Sequence, residues 1–150
     1  YDAVKSAWKN VGSVEVDGSY ITRENNPPYW DVAGKSVKGI VALTYLTDKS
    51  CTQCYNVSLH KLIVQKFNVY VGDERYVDIA DSEGAYLIKK YKISLVPTII
   101  MSGDSSEYSA LTSAWKSVGS VEDDGSYVFR MADAMGTYVN LTSGNITIVK

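Results

Sequence analysis

The chain has 150 residues, of which 45% are hydrophobic and 21% charged, with a formal net charge of −2. That length and apolar fraction suit one domain around one core, and the lack of any basic run argues against a nucleic-acid surface. No apolar stretch reaches the roughly eighteen residues that a membrane helix needs, and the richest, Val37–Leu46, has the length of a strand. The chain begins with Tyr1 rather than Met, which points to removal of a preceding segment. Sequons at Asn56-Val57-Ser58, Asn140-Leu141-Thr142 and Asn145-Ile146-Thr147 make Asn56, Asn140 and Asn145 glycosylation candidates. Together these features favour an extracytoplasmic setting, secreted or at the cell surface.

In chain order, Asp2–Val11 has the spacing of a short helix, with Ala3, Val4, Ala7, Trp8 and Val11 on one face and Gly12 as its stop. Val14–Val16 and Tyr20–Thr22 flank Asp17-Gly18, a hairpin signal. The stretch RENNPPYWDVAGKS reads as a linker, because Pro27-Pro28 removes two donors and favours extended backbone. Val37–Leu46 follows as a buried strand, then a loop at Thr47–Ser50 and a helix over Cys51–Phe67. Arg75–Ile79 is a strand, Glu83–Tyr91 a helix and Thr98–Met101 a strand, with a further short strand near Tyr108–Leu111. A helix at Thr112–Val118, a hairpin turning at Asp124-Gly125 and a strand-like Asn145–Val149 close the chain. Early alternation of strand and helix with a late hairpin predicts an α/β layer on a mixed sheet.

Cys51 and Cys54, the only cysteines, fall where the buried strand ends and the predicted helix begins. A thiol at a helix N-terminus faces unpaired amides and the positive end of the macrodipole, which favours its thiolate. Lys49 adds positive charge and Asp48 partly cancels it. Cys54 lies one turn further on, spaced to resolve a mixed disulfide formed at Cys51. A static disulfide stays open as an alternative, although its very short loop restricts the unfolded chain little. A zinc site needs more ligands than this pair and the lone His60 supply, so no metal is expected.

Downstream, YVDIADSEGAYLIKKYKISLVPTII continues with Ile93-Ser94-Leu95-Val96-Pro97-Thr98. The strand–CxxC–helix unit and the KYKISLVPT stretch, in this order and separation, resemble the thioredoxin family over roughly Val37–Leu111. The resemblance implies a thioredoxin-like α/β fold, a central mixed sheet flanked by helices. It further implies that Pro97 is cis beside the cysteines and that Val96, Pro97 and Thr98 form a platform on which an extended substrate segment pairs. The implied activity is thiol–disulfide oxidoreduction on protein thiols and disulfides, with Cys51 and Cys54 catalytic and no cofactor required. Two positions depart from the family. Ser50-Cys51-Thr52-Gln53-Cys54 replaces the thioredoxin active-site sequence, and Tyr45 stands where the family has a proton-relaying aspartate. The Val-Pro pair is similar to that of extracytoplasmic disulfide oxidases. The NPPY…GK…VG pattern before the CxxC strand resembles membrane-anchored, thioredoxin-like proteins of archaea and uncultured microbes.

The most unusual feature is a repeat. Ser6–Arg23 and Ser113–Arg130 agree at fourteen of eighteen positions with a constant offset of 107, differing only at Asn10/Ser117, Val16/Asp123, Ile21/Val128 and Thr22/Phe129. The expected organisation is an N-terminal helix–hairpin extension and Pro-rich linker over residues 1–36, then a thioredoxin-like domain over 37–150 ending in its own helix–hairpin. The first copy reads as the tail of a preceding domain of the same kind, or as an element that docks on a neighbouring subunit head to tail. Self-association through residues 1–36, in a redox-idle structural subunit of a filament or surface layer, is therefore the alternative to the enzyme. Trp8 and Trp115 are expected as core anchors, His60 as a helix-surface residue, and Glu15/Asp17 and Glu122/Asp124 as solvated turn carboxylates.

Overall fold

A computed structural model describes residues 2–22 and 26–149. The N-terminal part holds helix α1 (Asp2–Trp8) and strands β1 (Gly12–Val14), β2 (Tyr20–Thr22), β3 (Tyr29–Asp31) and β4 (Ser36–Lys38). The middle holds β5 (Ile40–Thr47), α2 (Leu59–Gln65), β6 (Tyr70–Asp78), α3 (Ser82–Tyr91), β7 (Leu95–Val96) and β8 (Thr98–Gly103). After a 3₁₀ turn at Ser105–Glu107 come α4 (Ser109–Trp115), β9 (Gly119–Val121) and β10 (Tyr127–Phe129), and then β11 (Tyr138–Asn140) and β12 (Asn145–Thr147).

The fold expectation is corrected here. Among the described residues the protein is mostly β, with twelve strands in four sheets and helix over only about a quarter of the chain. This is not the thioredoxin-like α/β arrangement, a central sheet flanked by helices. Three local facts account for the difference. The helix expected from Cys51 to Phe67 is confined to Leu59–Gln65, since side chains of the loop before it bond the backbone locally. The Pro-Pro linker folds into the hairpin β3–β4, where Tyr29 stands opposite Lys38. The C-terminal stretch pairs as a second hairpin, β11–β12.

The largest sheet runs in the order β6-β5-β8-β10-β9. Strand β5, IVALTYLT, is buried along most of its length and pairs parallel with β6 and antiparallel with β8. Val41 stands opposite Val71 and Ala42 opposite Asp73, so Gly72 is an extra residue on β6, a bulge in the exposed edge strand. Side chains alternate between two apolar clusters, as the two-residue period of a strand requires. Val41, Leu43, Tyr45, Ile99, Met101, Tyr127 and Phe129 join Val64, Leu111 and Trp115 in the first. Leu46, Ile100 and Val128 join Leu87, Tyr91, Cys51, Val96 and Val139 in the second.

The repeated element takes the same local shape at both ends. Trp8 Nε1 donates to the Ser13 carbonyl at 3.2 Å and Trp115 Nε1 to that of Ser120 at 3.2 Å. The Ser19 amide donates to Asp17 Oδ1 at 2.9 Å and the Ser126 amide to Asp124 Oδ1 at 3.0 Å. Ser13 faces Ile21 in one hairpin as Ser120 faces Val128 in the other. Gly18 and Gly125 have φ of 86° and 80°, a backbone region that the Asp-Gly turns need and that side chains disfavour.

The surroundings differ completely. In the second copy β10 pairs with β8, and Leu111, Trp115, Tyr127 and Phe129 lie in the core. In the first, β1 and β2 form a separate two-stranded sheet, and Val4, Val11 and Ile21 are 60%, 38% and 45% exposed.

Candidate functional site

The cysteines sit in a loop that two aspartates shape. Asp48 Oδ1 accepts hydrogen bonds from the Ser50 amide at 2.8 Å and the Ser50 hydroxyl at 2.5 Å, while the Asp48 carbonyl accepts the Cys51 amide at 3.0 Å. Buried Asp78, at the end of β6, accepts the Ala80 amide at 2.8 Å through one oxygen and the Lys49 amide at 2.8 Å through the other. Those amides, that of Ala80 foremost, hold the Asp78 carboxyl below the usual carboxylate range. The loop entry is thus fastened to the neighbouring strand.

Cys51 and Cys54 form a disulfide with an S–S distance of 2.06 Å and Cα atoms 5.5 Å apart. Cys51 is 8% exposed, within the second apolar cluster, and the half-buried Cys54 packs against that cluster. Helix α2 starts only at Leu59. The sequence-based argument for an activated Cys51 thiolate at a helix N-terminus therefore loses its helix.

Tyr55, immediately after the pair, connects three parts of the structure. Its amide donates to the Thr137 carbonyl at 3.0 Å, and its hydroxyl donates to the Pro97 carbonyl at 2.8 Å. The same hydroxyl lies 3.0 Å from His60 Nε2. A phenol has one proton, and here it goes to Pro97, so His60 Nε2 carries the hydrogen in the second contact. This assigns the tautomer from the bonding network. His60 is 3% exposed and meets the Phe129 ring edge-on with centroids 4.5 Å apart, which corrects its expected place on a helix surface. Burial pushes its pKa down to about 4, so the imidazole is neutral near pH 7. Burial likewise raises the Tyr55 phenol above its ordinary value.

The Val96–Pro97 bond is cis, and Cys51 and Val96 share one cluster. Val96, Pro97 and Thr98 are all buried, with Val96 and Thr98 at 0% exposure. The Thr98 hydroxyl donates to the Phe129 carbonyl at 2.7 Å and so is committed inside the protein. The backbone edge of β7 is occupied too. Val96 pairs with Val139 and Leu95 with Asn140, and the Leu141 amide donates to the Ser94 carbonyl at 2.8 Å.

Tyr45 points elsewhere. Its hydroxyl donates to Glu74 Oε1 at 2.7 Å and its ring stacks on Tyr76 at 4.6 Å. It belongs to the first cluster and the cysteines to the second, so its hydroxyl is not placed to relay their protons. Of the sequon asparagines, exposed Asn56 lies in the cysteine loop and accepts from the Ser58 amide and hydroxyl. Asn140 and Asn145 stand directly opposite each other across the β11–β12 hairpin. Among the described residues no group of three or more His, Cys, Asp or Glu side chains is placed to hold a metal ion, and no helix is long and apolar enough to cross a membrane.

Tyr55, His60 and Thr137 were not legible as site residues in the sequence. The one available signal was an aromatic directly after the second cysteine. No protein-family model, curated protein or solved structure matches the chain.

Proposed function

We propose that the protein carries out thiol–disulfide exchange on protein segments, with the Cys51–Cys54 pair as the reacting group. The observation that carries this reading is the conjunction of a disulfide closing a two-residue loop with the Val96–Pro97 segment, joined through the Tyr55 hydroxyl. A substrate thiolate attacks one sulfur of the pair, a mixed disulfide forms and the other cysteine leaves as thiolate. A second substrate thiol then displaces the protein sulfur, so the substrate becomes a disulfide and the pair a dithiol. The reverse sequence reduces a substrate disulfide. An extracytoplasmic setting suits a chain whose only cysteines are joined.

The test is trapping. Cys54→Ser leaves Cys51 as the attacking thiol, and Cys51→Ser leaves Cys54. Offered protein disulfides, at least one variant should accumulate mixed disulfides, its thiolate displacing one substrate sulfur as a thiolate, under conditions where the double variant accumulates none. If neither traps a partner, the pair is a static crosslink and this reading fails.

A second reading, a structural subunit that associates through its N-terminal helix–hairpin, is favoured by the exposure of the apolar side chains Val4, Val11 and Ile21. The Tyr20 hydroxyl supports it as well. It is buried without a partner among the described residues, whereas its counterpart Tyr127 lies 2.9 Å from the Thr112 hydroxyl, and Lys5 stands at the position equivalent to Thr112. In an intact second copy the strand beside β8 is already β10, so a docking N-terminal unit needs a sheet whose own closing element is absent or displaced. Light scattering on the full chain and on a chain lacking residues 1–36 tests this, and an identical oligomeric state in both would exclude it.

A further inference from the structure

The backbone edge that a substrate strand would need is held by the chain itself. Three bonds fasten residues 137–141 across the candidate site: Tyr55 amide to Thr137 carbonyl at 3.0 Å, Val139 paired with Val96, and Leu141 amide to Ser94 carbonyl at 2.8 Å. Val139 is 5% exposed and belongs to the same cluster as Cys51 and Val96. Lifting this one segment would therefore open the edge of Val96 and take Val139 out of the cluster that holds Cys51.

The segment is built to lift separately. Its sheet, β12-β11-β7, is distinct from the five-stranded sheet, and β11 pairs with only two residues of β7, with Val139 as its one buried side chain. Its outer partner β12 is exposed along its whole length, with Ile146 49% exposed. A short strand that buries one apolar side chain and whose outer partner is exposed opens at a lower free energy than the core. Unpairing it leaves every ladder of the large sheet intact.

We propose that residues 137–141 are a built-in substitute for substrate: a strap that occupies the β7 edge and shields the disulfide until an extended protein segment takes its place. The inference rests on the thiol–disulfide reading above. The occupant itself indicates the partner, an extended segment antiparallel to β7 with an apolar, β-branched side chain opposite Val96 and a cysteine within reach of the pair. A folded surface without a free strand would not compete.

Hydrogen exchange on the full chain gives the first test. The Leu141 and Tyr55 amides should exchange together and at least about tenfold faster than amides of β8 and β10. Exchange at the same rate as that sheet would mean that the strap opens only on global unfolding, and would overturn the proposal. The second test is the rate of mixed-disulfide formation with an unstructured cysteine-containing peptide. Val139→Asp should raise that rate about tenfold, and the milder Leu141→Pro, which removes one strap hydrogen bond and a partly buried side chain at the margin of the cluster, about threefold. The Leu141→Pro result decides the matter if Val139→Asp does not fold. Rates equal to wild type in a variant whose strap amides exchange faster would overturn the strap while leaving the thiol–disulfide reading standing. Faster strap exchange with no mixed disulfide in any variant would sink the reading and the strap's role with it.

Discussion

The hydroxyl of Tyr55 donates to the carbonyl of Pro97 at 2.8 Å and in turn receives the Nε2 hydrogen of buried His60, so one phenol satisfies two groups that have little other access to water. Tyr55→Phe removes both partners at once. A buried polar group left without a partner costs about 1–3 kcal/mol. The variant should lose stability on that scale in urea denaturation with an unchanged m-value, and an unchanged midpoint would show that solvent replaces the phenol freely.

His60 also makes stability depend on pH. Its folded pKa of about 4 lies below the ordinary 6.5, so between those values the unfolded chain binds a proton that the folded chain refuses. Stability is whole above about pH 6.5 and falls as the pH drops towards 4, by about 3 kcal/mol from this residue. His60→Asn should flatten the fall between pH 6.5 and 5, where carboxylates contribute little. Parallel denaturation midpoints for wild type and variant across that window would refute the assignment.

The two tryptophans of the repeat should respond unequally. Trp115 is 5% exposed within the first core cluster, and its truncation to Ala belongs with losses of about 3–5 kcal/mol. Trp8 packs edge-on against Tyr20 within the separate helix–hairpin, so Trp8→Ala should leave the main unfolding transition within about 0.5 kcal/mol of wild type. Chemical denaturation followed through far-UV circular dichroism distinguishes the two, and equal losses would mean that the first copy is integrated into the core.

Gly84 on α3 offers a steric test. A Cβ there would stand 2.0 Å from the Asp78 carbonyl oxygen, which is backbone and cannot step aside. Gly84→Ala should cost about 1–3 kcal/mol despite the better helix propensity of alanine. A stabilised variant would show that α3 does not lie against the end of β6 as closely as described.

The sequence by itself determined the elements whose signal is local. The Asp-Gly turns lie between paired strands at both ends, β5 covers Ile40–Leu46 of the buried strand predicted over Val37–Leu46, whose start falls in β4 instead, and Glu83–Tyr91 is helical, because turn chemistry and apolar runs act over a few residues. Helical spacing over Cys51–Phe67 misled, since the Asp48 and Asn56 side chains offered the backbone local bonds that a period count does not register. Tertiary structure alone decided what surrounds those elements. Copies that agree at fourteen of eighteen positions end with one face buried and the other exposed, because only the second has β8 beside it. The pairing of Val139 with Val96 joins residues more than forty positions apart, and nothing in either short strand announces its partner.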